Sequence, residues 1–268
     1  MDVKTAILVD GSFFVRRVHF YHRKYFAEQP DLTGQNLVDI LLGLQRKHLS
    51  SRGPNSLYTN HLYRVFYYDC KPLDLSIHYP VPMKGETKCR MVNFSKLPEN
   101  QCRLDFLELL KKQRKVALRL GHIKHHKKWA LKSKVLRQIL RKEFDVNDLE
   151  PNHFYFESEQ KGVDTKLGID IASLAYERHV DQIILIAGDS DFVPASKLAR
   201  RKGIDFVLDA LKNDIDSRLD EHIDGLTTYD LVSMIGSVLK IEPDLKPSWW
   251  GDKKPNNNNR RNKKHNPN

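Results

Sequence analysis

A chain of 268 residues, 40% of them apolar, is long enough to bury one well-formed domain, and its net charge of +11 points to a polyanionic partner. No apolar run approaches the length of a membrane span, which argues against a membrane partner or an embedded protein. Cys70, Cys89 and Cys102 have no CxxC spacing, so a disulfide framework or zinc site is not expected. The first residues enter a strand at once, leaving no expected room for a leader, and a reducing, cytoplasmic setting fits.

In chain order, Thr5-Ala6-Ile7-Leu8-Val9 predicts a buried strand over about residues 4 to 9, running into Asp10, Gly11 and Ser12. An aromatic and basic segment, Phe13 to Arg17, follows. Leu37, Ile40, Leu41, Leu44 and Leu49 predict a helix over Asn36 to Leu49, started by Thr33-Gly34-Gln35-Asn36. Ser51 to Ser56 is a loop by composition, and Leu62 to Tyr68 a second strand ending at Asp69. Residues 70 to 100 carry Pro72, Pro80, Pro82 and Pro98 without sustained periodicity, and read as an irregular excursion over the site. Helical spacing resumes at Leu104 to Leu110, and Val116 to Leu120 is a third strand. Residues 122 to 158 read as an insertion, with a basic helix near Trp129 to Glu143 and a short strand at His153 to Glu157.

Gln160-Lys161-Gly162-Val163 leads into a helix marked by Val163, Leu167, Ile171, Leu174 and Ala175. Asp164 falls in its first turn, where the positive end of the helix dipole favours a carboxylate. The wholly apolar run Ile183 to Ala187 is a buried parallel strand, and its glycine turn carries Asp189 and Asp191. A helix over Phe192 to Lys202, stopped by Gly203, and a strand at Ile204 to Leu208 come next. Leu231, Ile235, Val238 and Leu239 mark a last helix. Strands alternating with helices predict an α/β domain with a parallel sheet covered on both faces. That domain spans residues 1 to 242, and the Pro, Asn, Lys and Arg of 243 to 268 read as a disordered basic tail. Trp249-Trp250 anchors that tail to the domain or to a partner.

Ligands of open α/β sheets sit at the carboxyl ends of the strands. If the three acidic segments lie side by side, Asp10, Asp164, Asp189 and Asp191 converge there. Crowded carboxylates repel, and hard-oxygen coordination of Mg²⁺ or Mn²⁺ is the usual remedy. The plainer alternative makes Asp189 or Asp191 an N-cap for the next helix, and Ser12 a cap or a phosphate contact. Asp170 lies six residues past Asp164 and flanks the apolar stripe from the other side, so Ser12, Ser190 and Asp170 form a second tier. Asp69, at another strand end, reads as a solvated loop acid.

From Lys111 to Lys142 there are thirteen Lys or Arg and no acid. Lys124, Lys127, Lys128, Lys132 and Lys134 are therefore expected to contact a nucleic-acid backbone, with affinity falling in salt. Lys161 either faces a phosphate or is an exposed turn residue, and Trp129 either stacks a base or packs. A metal cluster of His122, His125 and His126 is opposed by the neighbouring lysines.

Together, Val9-Asp10-Gly11-Ser12-Phe13, the strand ending Tyr67-Tyr68-Asp69, Gln160-Lys161-Gly162-Val163-Asp164 and Ala187-Gly188-Asp189-Ser190-Asp191-Phe192-Val193-Pro194 resemble the NYN domain. This is a PIN-like nuclease family, here of the LabA-like branch, and the likeness runs over roughly residues 4 to 230. The resemblance implies a three-layer αβα, Rossmann-like fold and a metal-dependent ribonuclease with Asp10, Asp164, Asp189 and Asp191 as catalytic, metal-binding acids. Phe13 stands where many relatives carry asparagine. RNA is the implied substrate and Mg²⁺ or Mn²⁺ the cofactor. A DNA-directed nuclease and a non-catalytic RNA-binding adaptor are the alternatives, and a protein partner or homo-oligomer stays open. A haloacid dehalogenase phosphatase expects Asp-x-Asp at the first strand end, where this chain has Asp10-Gly11-Ser12.

Overall fold

In a computed structural model of the chain, the N-terminal apolar run forms β1 (Asp2–Asp10), the middle strand of a seven-stranded sheet. Residues 2–50, 59–215 and 217–248 are described, without the side chains of Ser190 and Ser217. The expected loop at Ser51 to Ser56, and the tail from Trp249-Trp250 onward, lie outside them.

The chain passes from β1 through α1 (Gly11–Tyr25) and α2 (Gly34–Ser50) to β2 (Thr59–Cys70). It then runs through β3 (Ser76–His78), β4 (Met91–Asn93), α3 (Pro98–Lys111), β5 (Val116–Leu131), α4 (Ser133–Leu140) and β6 (Phe154–Lys161). After α5 (Val163–Tyr176) come β7 (Gln182–Ile186), α6 (Val193–Arg201), β8 (Asp205–Asp209), α7 (Ser217–Asp220), β9 (Gly225–Leu226) and α8 (Leu231–Leu239). The large sheet has the order β6-β5-β2-β1-β7-β8-β9, and only β6 runs antiparallel to its neighbour. The first half of the chain builds outward on one side of β1 and the second half on the other. The strand order therefore reverses at β1 and β7, which opens a crevice at their carboxyl ends.

Alternation along β1 sends Ile7 and Val9 to a core beneath α1, α2, α3 and α8, and Ala6 and Leu8 to a core beneath α5 and α6. Both faces are covered, so central strands such as β7 are apolar throughout. The result is the expected α/β architecture of three layers. Thr33 and Asn36 start α2 reciprocally: Asn36 N donates to Thr33 Oγ1 at 3.2 Å and Thr33 N to Asn36 Oδ1 at 2.9 Å. Among the described residues no helix is long and apolar enough to cross a membrane.

Four expectations need correction. The third strand, expected to stop at Leu120, continues to Leu131, and the basic helix expected from Trp129 to Glu143 is confined to the eight residues of α4. Beyond Gly121 the outer half of β5 leaves β2 and pairs only with β6, from His122 opposite Lys161 to Leu131 opposite Phe154. This two-stranded arm is held by Trp129, whose ring meets Tyr79, Phe94 and Phe156 and whose Nε1 donates to the His78 carbonyl at 3.0 Å. Cross-strand aromatic contacts and ladder hydrogen bonds outweigh the helix propensity of a Lys-, His- and Leu-rich segment. The excursion at 70 to 100 is likewise not irregular throughout. It folds as the β3–β4 hairpin and packs on the arm through Tyr79 and Phe94. The start of the expected tail is docked as well, because Asp244 accepts from Glu28 N at 3.0 Å and from Gln29 Nε2 at 2.9 Å.

Candidate metal centre

Asp10 is the last residue of β1 and caps α1, with Oδ1 accepting from Phe13 N at 3.0 Å. Its second oxygen has no hydrogen-bond partner among the described residues. Asp164 lies in the first turn of α5, directly after Gly162 and Val163. Gly162 has φ 79°, a left-handed conformation that a side chain resists, so glycine is what lets β6 turn into α5 here. Asp189 and Asp191 occupy the turn after β7, both exposed. Asp189 Oδ1 accepts from Asp191 N at 3.1 Å, so the capping alternative holds only for the short 3₁₀ turn Ser190–Phe192. No side chain caps α6.

The electrostatics tie these carboxylates together. Burial pushes the Asp10 carboxyl above its ordinary value of 3.8, and Asp164 and Asp69 push it further, against a downward pull from Arg16. Asp164 is raised first by partial desolvation and then by Asp189 and Asp191. Asp164 thus interacts with acids from both other segments.

Other acids at this edge have partners. Asp69, fully buried and not solvated as expected, accepts from Arg103 Nε at 3.2 Å, from Cys70 N at 2.7 Å and from the Tyr67 hydroxyl at 3.3 Å. Asp170 accepts from Arg119 Nε and from the Tyr68 hydroxyl, each at 2.8 Å, which makes it a helix-to-sheet tie. Asp209, at the end of β8, is buried with His48 Nε2 at 2.9 Å. By contrast, Asp10, Asp164, Asp189 and Asp191 form no ion pair among the described residues. Apart from the pull of Arg16 on Asp10, these four carboxylates have no cation set against them among the described residues. Among the described residues no three His, Cys, Asp or Glu side chains make a ready cage. Mg²⁺ needs none, since it keeps several waters and binds through one or two carboxylates.

Phe13 is 6% exposed and its ring lies against Gly188, where a Cβ would stand 2.4 Å from Cε2. The ring therefore fills the space over the Asp189 turn with carbon. Ser12 is not the helix cap. Its Oγ accepts from Arg103 Nη2 and from Gln160 Nε2, both at 2.9 Å. Arg103 was missed because it lies in no acidic motif. Gln160 opens the motif Gln160-Lys161-Gly162-Val163-Asp164, of which only Lys161 and Asp164 were read as site residues, and that membership was the available signal.

Of the expected backbone contacts, Lys124, Lys127, Lys128, Lys132 and Lys134 are exposed on or beside the arm. Lys161 is paired with Glu159, which also lies opposite Lys124. The acid-free run of the sequence therefore meets acids across the ladder. Lys127, at φ 55°, lies in the irregularity between His125 and Trp129.

The fold and site define a Rossmann-like α/β domain with an unpaired acidic crevice at its switch point. Residues 101–224 match the family model of the NYN domain, the family that the acidic motifs resemble. The match takes in Asp164, Asp189 and Asp191 and begins after Asp10. NYN domains have a PIN-like nuclease fold and are generally nucleases. No curated protein matches the sequence. Among solved structures, a Vibrio parahaemolyticus protein of unknown function, VPA0982, is 14% identical over 85% of this chain and 93% of that one, at a TM-score of 0.35. A Sir2 mutant with a p53 peptide and NAD is 11% identical over 89% of this chain and 92% of that one, at 0.33. Likenesses this distant carry no argument.

Proposed function

We propose that this protein is a metal-dependent ribonuclease, cutting within RNA chains at Asp10, Asp164, Asp189 and Asp191 with Mg²⁺ or Mn²⁺. The supporting observation is the contrast in pairing: Asp69 and Asp170 are neutralised by Arg103 and Arg119, while these four form no ion pair among the described residues. A bound divalent ion supplies a more acidic water as nucleophile and stabilises the departing oxygen. The protein's part is to hold the carboxylates. Asp10 is fixed by its bond to Phe13 N, Asp164 by the Gly162 turn, and Asp189 by its own 3₁₀ turn. The exposed lysines of the β5–β6 arm lie along a strand leading away from the crevice and suit a phosphodiester backbone.

The test is incubation of the purified protein with single-stranded RNA, structured RNA and single-stranded DNA, in Mg²⁺, Mn²⁺ or chelator. The Asp10→Asn, Asp189→Asn double variant runs alongside. Metal-dependent cleavage of RNA by the parent alone is expected. Cleavage of DNA in preference moves the substrate class, and RNA binding without cleavage under any ion returns the adaptor alternative.

A further inference from the structure

We infer that Arg103 is a phosphate-binding residue of the acidic crevice, held by Asp69 so that its outer guanidinium nitrogen is left for RNA. The inference rests on the nuclease reading above. Arg103 lies on α3 and reaches the carboxyl end of β2, where Asp69 is fully buried. Its Nε donates to Asp69 Oδ2 at 3.2 Å, and its Nη2 donates to Asp69 Oδ1 and to Ser12 Oγ at 2.9 Å. Nε and Nη2 share one edge of the planar group, so Nη1 lies on the opposite edge. It has no partner among the described residues, and the side chain is 24% exposed. Ser12 stands two residues past Asp10, so the guanidinium lies beside the candidate metal acids.

A purely structural pair is the competing account. Burying two charges costs desolvation that an apolar pair of similar volume avoids, so stability alone is a weak reason for Arg103. Asp69 already has Cys70 N and the Tyr67 hydroxyl as donors. What the pair adds is a fixed orientation for the guanidinium, whose remaining N–H donors on Nη1 suit a phosphate oxygen.

The experiment is RNA binding in chelator, followed by fluorescence anisotropy across a salt series, so that catalysis plays no part. The variants are Asp69→Asn, Arg103→Lys, and Arg103→Met combined with Asp69→Asn. The double variant, which leaves no buried charge unpaired, is expected to weaken binding about tenfold or more. Its slope of log affinity against log salt should fall by about 0.7, the share of one single-strand phosphate. Asp69→Asn, which frees the guanidinium, should bind as tightly as the parent or tighter. Arg103→Lys, whose single nitrogen is taken by Asp69, should lose affinity while keeping the fold. Parent-like affinity and slope in the double variant overturn the inference, as does an equal loss in Asp69→Asn. If the parent itself does not bind RNA, the RNA reading fails first. Cleavage by the parent with no effect at Arg103 sinks this inference alone.

Discussion

Gly188→Ala tests whether the crevice depends on the Phe13 ring. The added methyl would stand 2.4 Å from Cε2, 3.0 Å from Cδ2 and 3.1 Å from Cζ of Phe13. Carbon atoms rest at about 3.5–4.0 Å, so ring or turn must yield by roughly 1 Å. The ring is 6% exposed and belongs to the core beneath α1, which leaves it little room to swing aside. Overpacking of this kind costs about 1–3 kcal/mol. At about 2–4 °C per kcal/mol for a domain of this size, Tm should fall by roughly 2–12 °C. Asp189 is the next residue, and a displacement of ~1 Å in a catalytic group lowers a rate on the order of 100-fold. Thermal melts and initial cleavage rates read both effects. The control is Phe13→Leu, which removes the ring edge that the methyl strikes. In that background Gly188→Ala should cost less, with a coupling of about 0.5–3 kcal/mol. Parent-like stability in Gly188→Ala, or an equal cost in both backgrounds, would refute the reasoning.

Asp164→Asn should separate stability from activity. Its carboxyl is raised above 3.8, chiefly by desolvation, so the fold favours the protonated acid. That contribution is most favourable below pH 3.8 and is lost as pH rises through the raised value. Without divalent ions the variant should therefore match or exceed the parent's Tm at pH 7, with the difference closing toward pH 4. Mn²⁺ should raise the Tm of the parent and not of the variant, and a variant less stable than the parent in chelator at pH 7 would count against the unpaired-acid account. On the arm, alanine at Lys127, Lys128 and Lys132 should lower the salt slope of RNA binding by about 2 if each meets one phosphate. Lys161→Ala, already paired with Glu159, should change it little. Equal slopes in the parent and the triple variant would remove the arm from the binding surface.

The acidic motifs were legible because each joins a local pattern to a local consequence. An apolar run ending in Asp10 and a helix opening at Asp164 are both properties of a few adjacent residues. The β5–β6 arm was not legible, since its partners are distant. Trp129 is held by Tyr79, Phe94 and Phe156, and Leu131 pairs with Phe154. Within the segment itself, the residues favour the basic helix expected from Trp129 to Glu143.

The sequence alone determined the central strands, most of the helices that flank them and which acids stand at their ends, because burial periodicity and turn chemistry are read locally. Only the tertiary structure decided which strand-end acids stay unpaired. Asp69 looks like any other strand-end acid until Arg103, 34 residues away, reaches it, and Asp170 until Arg119, 51 residues away, does the same. A charge is neutralised by whatever the fold brings within a few ångströms, and that proximity is set by sheet order rather than by neighbours along the chain.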